Sequence, residues 1–334
     1  MAMVMCIRVP KEKGEKIKEH LISSGLLNRD ARIRAEGNDI LIPVRGPFEG
    51  YDLSDENLEL TDKKETDYRN VADVPDEVRG ILPNSYDVIG DIAVLRFHEE
   101  SMPYEKKAGE ALLRTSSSIR AVMADRGVKG EMRIRDIVMI AGTGTSETVH
   151  REFGVTMAVD PAKIYFNPRL STERMRIASL VRDGETVTDM FAGAAPFPLV
   201  ISKHSRALTI YSIDINGDAV EYMKKNIKMN KTVNIIPICG DARTVIKGLP
   251  PADRMIMNLP HSADMFLDDA LSNLKKGGTV HMYKISERES SEDMVRGLIS
   301  ETGKKGHSIR IERKAELKTY SPTMSVYALD IVKE

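Results

Sequence analysis

Between residues 187 and 283 short apolar runs alternate with longer amphipathic stretches. Residues 187–191, 209–214, 235–239, 254–258 and 279–283 are brief and rich in Val, Ile and Met, as strands buried on both faces are. A segment opening at Pro196, residues 218–230 and residues 265–274 read as the helices between them. That rhythm predicts an α/β fold with a parallel sheet, and Gly277-Gly278 reads as the stop of the last helix.

Upstream the pattern is looser. Residues 4–9 and 39–44 read as short strands flanking a helix over 13–24, whose Ile17, Leu21 and Leu26 fall near helical spacing. This small α/β module closes near Pro47. Residues 49–67 lack sustained apolar periodicity and read as a linker, although Leu53, Leu58 and Leu60 leave room for a strand or a short helix. In a second module residues 86–97 form two strands meeting at Gly90-Asp91, residues 104–113 a helix and residues 116–118 a loop. Residues 132–140 and 148–159 follow as strands around the glycine-rich 141–146.

Composition adds bounds. With 41% hydrophobic and 30% charged residues the chain is that of an ordinary soluble protein. No apolar run approaches the roughly 18 residues of a membrane span, and the amino terminus reads as no signal peptide, so a cytoplasmic protein is expected. Cys6 and Cys239 suggest no disulfide framework, and the seven histidines show no metal-ligand spacing. Net charge is -1, so nucleic-acid binding finds support only in local clustering. Residues 129–182 hold nine Lys and Arg against six acids, whereas residues 49–67 hold eight acids against Lys63 and Lys64.

Chemistry concentrates in Val187-Thr-Asp-Met-Phe-Ala-Gly-Ala-Ala-Pro-Phe197 and Ile210-Tyr-Ser-Ile-Asp-Ile215. They read as strand, turn, helix and a second strand ending on a carboxylate, which places Asp214 to bind a ribose diol. A pyrophosphate site wants three glycines. Here only Gly193 is present, with Ala195 and Phe197 in the other positions, which favours a nucleoside without phosphates, above all S-adenosylmethionine. Asp241, ending the third strand, could accept from an adenine amine or cap the next helix. Asn258-Leu-Pro-His261 ends the fourth strand, where proline stiffens the turn that presents the Asn258 carboxamide, pointing to nitrogen as methyl acceptor. Ser171 or Thr172 could cap a helix carrying Met175, Ile177, Ala178 and Leu180, with Glu173 as a first-turn acid favoured by the helix dipole.

These blocks, together with Gly130-Glu-Met-Arg-Ile-Arg-Asp136 and Lys163-Ile-Tyr-Phe-Asn-Pro-Arg-Leu170, resemble the archaeal and eukaryotic tRNA (guanine-N1) methyltransferases that modify position 37. The resemblance spans essentially the whole chain. It implies a Rossmann-like class I methyltransferase domain over residues 160–334, preceded by two smaller α/β (α+β) RNA-binding domains, residues 1–60 and 70–159. It also implies S-adenosylmethionine as cofactor, tRNA as partner through its anticodon loop and body, a monomer, and neither metal nor membrane.

By the same resemblance Arg133 matches the arginine that contacts guanine O6, Glu173 the general base, and Asn258 with Pro260 the turn that holds the base. Arg169 matches an arginine near the target nucleotide, and Arg135 and Arg174 are further substrate-binding candidates. Tyr165, Phe191, Gly193, Asp214, Ile215, Asp241 and Asn258 match cofactor-pocket positions, while Ala195 stands where the family more often has a second glycine. The pairing makes chemical sense: guanine N1 must lose a proton as it is methylated, and charge then gathers on O6. A fixed donor there is worth about 3 to 4 kcal/mol. Arg133 and Glu173, 40 residues apart, are therefore expected to converge. The rivals are a wyosine-pathway enzyme on the same nucleotide, either a carbon methyltransferase or an aminocarboxypropyl transferase, and a non-catalytic tRNA-binding protein.

Overall fold

The computed structural model describes residues 2–60, 67–130 and 134–334, the Lys129 side chain excepted. The chain divides into two compact units, residues 1–71 and 72–334.

In the first unit β1 (Ala2–Pro10), β2 (Arg34–Glu36), β3 (Asp39–Pro43) and β4 (Leu53–Leu58) form an antiparallel sheet in the order β2-β3-β1-β4. Alternation along β1 buries Val4 and Cys6 with Leu41 and Leu58 on one face, and Ile7 and Val9 with Ile42 and Leu21 on the other. Leu21 comes from α1 (Gly14–Ser23). Part of the expected linker is therefore strand: β4 pairs with β1 from Leu58 opposite Ala2 to Leu53 opposite Ile7. It lies at the sheet edge, where a polar sequence is tolerated.

The second unit opens with the sheet β5 (Asp87–Ile89), β6 (Ile92–Leu95), β7 (Ala121–Lys129) and β8 (Ile134–Gly142), joined in that order. Helix α2 (Glu105–Thr115) makes the crossover between the parallel strands β6 and β7. A hairpin follows, β9 (Thr148–Glu152) and β10 (Val155–Val159), turning at Phe153 and Gly154, both at positive φ.

The main sheet contains β11 (Thr186–Asp189), β12 (Thr209–Asp214), β13 (Ile235–Cys239), β14 (Ala252–Met257), β15 (Leu274–Glu287), β16 (Ile309–Thr319) and β17 (Met324–Lys333). Its order is β13-β12-β11-β14-β15-β17-β16. Pairing is parallel from β13 through β15, and β17 inserts antiparallel between β15 and β16. The five strands expected to be parallel are so, and β17 and β16 extend the sheet with antiparallel pairing. The helices are α3 (Ser171–Leu180), α4 (Pro196–His204), α5 (Gly217–Asn230), α6 (Ala242–Val245), α7 (Leu267–Ser272) and α8 (Ser291–Lys304). The order reverses between β11 and β14, which opens a crevice at the carboxyl ends of these strands.

Gly277-Gly278 corrects one expectation. Helix α7 ends at Ser272, and both glycines lie inside β15 at the register shift between Ala252 and Arg254. A Cβ on Gly278 would sit 2.9 Å from the carbonyl oxygens of Asp253 and Lys275. The pair serves a bulge with close backbone approach, not a helix stop.

One core joins the two sheets of this unit: Ile89, Ile92 and Met123 cluster with Val187, Phe197 and Ile210. Two amides on α5 add a tie. Buried Asn226 bonds the backbone of Ala158 in both directions and the Ala194 carbonyl, and Asn230 does the same for Thr156. The β10 edge is thereby satisfied by side chains, and the turn at residues 192–195 is fixed to it. Among the described residues no helix is long and apolar enough to cross a membrane.

Candidate active site

A cavity of about 510 Å³ opens at the carboxyl ends of β11, β12, β13 and β14. In the turn after β11, Gly193 at φ 56° presents its N–H to Asp214 Oδ2 at 2.7 Å. The other oxygen of Asp214 accepts from the Asn216 N–H at 2.8 Å. Burial raises the Asp214 carboxyl above its ordinary value, against the pull of these backbone donors. Asn216 caps α5 through Asp218 and donates to the Lys163 carbonyl, so the acid's loop is held from both sides. Ile215 is 61% exposed, and with Phe191 it gives the cavity apolar walls. Phe266 meets Phe191 edge-on at 4.9 Å and carries the Arg243 guanidinium over its ring at 4.1 Å. Phe266 does not stand out in the sequence, where it is a lone aromatic within an expected helix, and Arg243 stands there only as the end of Cys239-Gly-Asp-Ala-Arg243.

Asp241 caps α6, its Oδ1 accepting from the Arg243 N–H at 2.8 Å, and it also lines the cavity. Tyr165 lines the same cavity, as do Asn258 and Pro260. The Pro260 carbonyl accepts from Ile285 and the Leu259 carbonyl from Ser262, which stiffens the turn after β14.

Two polar atoms here have no protein partner. Asn258 Oδ1 is buried and unbonded, as is Asp189 Oδ2. Asp189 is 1% exposed, and its other oxygen accepts from Phe191 at 3.2 Å. Burial first, then the nearby Asp214, push its carboxyl up to about 8. Orphaned buried polar atoms are what a ligand would satisfy. With a buried acid at the strand end, apolar walls and a close-approach glycine, the residues fit a nucleoside without phosphates such as that of S-adenosylmethionine. Among the described residues no cluster of His, Cys, Asp or Glu could hold a metal.

Glu173 lies in the first turn of α3, 6% exposed and behind the cavity wall. The Tyr283 hydroxyl donates to its Oε1 at 3.1 Å, and Tyr283 lines the cavity. Arg176 forks onto Glu173 at 2.7 and 2.8 Å and onto Asp330 at 2.8 and 3.0 Å. Asp330 in turn bonds His281 Nδ1 at 2.6 Å, and His281 Nε2 meets Arg254 at 2.7 Å. Arg254 pairs with Glu185 and holds the Leu180 carbonyl, so the chain of contacts ties both ends of α3 to the sheet.

Arg133 lies outside the described residues, and so does its meeting with Glu173. Arg135 lines the cavity, donating to Asp87 Oδ2 at 2.8 Å, while Arg169, 56% exposed, takes Asp87 Oδ1 at 2.6 Å. Burial alone would raise Asp87, but the two arginines outweigh it and hold the carboxyl low. Lys318 lines the cavity beside them, its ammonium lowered by burial and by Arg169 and Arg135. Arg174 differs from its neighbours. It is 1% exposed, grips Glu152 with two bonds of 2.5 Å, and bonds the Asn167 carbonyl. It is a buried anchor between α3 and β9 rather than a cation free for substrate.

Comparison with known proteins matches residues 148–311 to the TRM5/TYW2 methyltransferase domain, residues 71–145 to the TYW2 N-terminal domain and residues 6–52 to the tRNA methyltransferase 5 N-terminal domain. The tRNA (guanine(37)-N(1))-methyltransferase Trm5b of Pyrococcus abyssi is 38% identical over 98% of both chains. The tRNA 4-demethylwyosine(37)-methyltransferase Taw21 of Saccharolobus solfataricus is 35% identical over 63% of this chain and 81% of its own. Among solved structures, the complex of aTrm5 and tRNALeu is 33% identical, covers 98% of this chain and 99% of that one, and superposes with a TM-score of 0.71.

Proposed function

The chain belongs to the TRM5/TYW2 methyltransferase family, and we infer from that membership that it transfers a methyl group from S-adenosylmethionine to N1 of guanosine 37 in tRNA. One observation carries this reading over the wyosine-pathway rivals. The likeness to the N1 enzyme runs through the amino-terminal module and 98% of both chains, whereas the 4-demethylwyosine methyltransferase reaches 63% of this chain. Mass analysis of nucleosides from a reacted tRNA transcript tests it. 1-Methylguanosine is the expected product, and a carbon-methylated or aminocarboxypropylated base overturns the assignment.

We propose the following division of labour. Bound S-adenosylmethionine supplies an electrophilic methyl group. Asp214 binds its ribose diol and Asp241 its adenine amine, while Gly193 lets backbone approach and Tyr165, Phe191 and Ile215 enclose it. Asn258, stiffened by Pro260, presents its unpaired Oδ1 to the edge of the guanine. Glu173 takes the N1 proton, and Arg133 stabilises charge growing on O6. Arg135, Arg169 and Lys318 form a cationic margin suited to phosphates flanking a splayed-out base. The modules over residues 1–60 and 70–159 contact tRNA, and we take the enzyme to be a cytoplasmic monomer.

A further inference from the structure

We propose that Asp330 is a positioning residue for the proton transfer: by sharing Arg176 with Glu173, it lets Glu173 take up and release a proton without stranding a half-buried guanidinium. The inference rests on Glu173 as the base. A carboxylate gripped by one arginine alone is a poor base, because protonation would leave that partly buried cation without its partner. Here the cation has a second owner. Arg176 makes two hydrogen bonds to each acid, all between 2.7 and 3.0 Å. When the N1 proton moves to Glu173, its bonding electron pair stays on guanine, and the Arg176–Asp330 pair remains intact. After the product leaves, Glu173 returns the proton to solvent.

Asp330 is built to stay anionic meanwhile. Burial would raise it, but His281 and Arg176 hold it far below the usual carboxylate range. Burial lowers the His281 imidazole below its ordinary value, against the pull of Asp330. Its Nε2 accepts from Arg254, which leaves the proton on Nδ1, facing Asp330. The groups facing Glu173 are thus Arg176 from α3, Tyr283 and, one step on, His281 from β15, Asp330 from β17, and Arg254 with Glu185 at the far end. Helix α4 packs on α3, but its titratable groups, Lys203 and His204, lie in its last turn, and His204 is bonded to the Phe153 carbonyl.

Two substitutions test this through shifts of opposite sign. With Asp330→Asn, Arg176 belongs to Glu173 alone, which weakens the base. In single-turnover methylation of a guanosine-37 transcript the plateau rate should fall about tenfold, and the acid limb of the pH–rate profile should move down by about one unit. With Arg176→Lys, a compact ammonium cannot fork onto both acids, so the acid limb should move up. Cofactor binding by calorimetry identifies folded protein, and Arg176→Lys carries the test alone if Asp330→Asn does not fold. Acid limbs that stay in place, in variants that bind cofactor normally, overturn the proposal. Unchanged chemistry in Glu173→Gln would instead overturn the base assignment itself.

Discussion

Tyr283 hands its hydroxyl hydrogen to Glu173 Oε1 across 3.1 Å, and of these two residues only the tyrosine lines the cavity. The carboxylate expected to act on guanine is therefore reached past a phenol. Burial and the adjacent Glu173 hold that phenol well above its ordinary ionisation, so it stays a donor. Tyr283→Phe removes one orienting hydrogen bond, worth about 0.5–1.5 kcal/mol. Single-turnover methylation should slow by about threefold to tenfold, with cofactor affinity unchanged. Glu173→Gln should slow it much further. A Tyr283→Phe enzyme at full rate would mean the hydroxyl does not position the base.

Asp189 makes stability depend on pH. Its carboxyl is raised from 3.8 to about 8 by burial and by Asp214, so between those values the folded state holds a proton that the unfolded state has released. Stability conferred by the protonated form is full below the unfolded value and declines as pH rises toward 8. Asp189→Asn keeps the neutral shape and removes the titration. Melting of the cofactor-free protein should therefore flatten in this window, with a gain on the order of 1–3 kcal/mol over the parent at the alkaline end. Melting curves whose pH dependence runs parallel in the two proteins would refute it.

The strand, turn and acid from Val187 to Asp214 were legible because buried parallel strands need unbroken apolar runs and the chemistry sits at their ends. Strand β4 was not, because Ser54, Asp55 and Glu56 sit on an edge strand whose outward positions carry no apolar signal. Strands β16 and β17 mix charges such as Arg313 and Asp330 into their runs, and Asp330 is polar only because Arg176 and His281 meet it inside. Glu173 shows the limit most clearly. Its first-turn position explains it as a dipole-compensating acid, and the resemblance made it a base. Its partnership with Asp330 runs through Arg176, whose contact with Asp330 spans 154 residues, a relation no local pattern encodes.

Ala195 occupies the left-handed region at φ 67° and is fully buried, at the position where the resemblance more often has glycine. It also starts α4, its carbonyl accepting from Leu199. Left-handed backbone costs a non-glycine residue about 1–2 kcal/mol. Ala195→Gly relieves that but loosens the unfolded chain by about 0.4–1 kcal/mol. Melting should rise slightly, by about 1–3 °C, with cofactor affinity kept. Ala195→Val adds a branched side chain to the same conformation in a closed core and should fail to accumulate as folded protein. A drop in melting temperature for the glycine variant would refute the strain argument.

Arg174 and Lys318 should respond in opposite ways, although both are cations near the target side of the site. Arg174 is buried against Glu152 and Phe166. Arg174→Met leaves the buried Glu152 carboxylate with only His150 beside it and should destabilise the fold by about 3–5 kcal/mol. Any methyltransferase activity lost this way should return on cooling. Lys318 makes no ion pair among the described residues, lines the cavity, and stands beside Arg135 and Arg169. Lys318→Ala should leave the melting temperature within about 1 °C, weaken tRNA affinity irrespective of isoacceptor, and reduce the slope of log affinity against log salt by about one. Filter binding across a salt series measures this. An unchanged slope in the lysine variant would remove Lys318 from the phosphate-facing margin, and a stable Arg174→Met enzyme with weakened tRNA binding would return Arg174 to it.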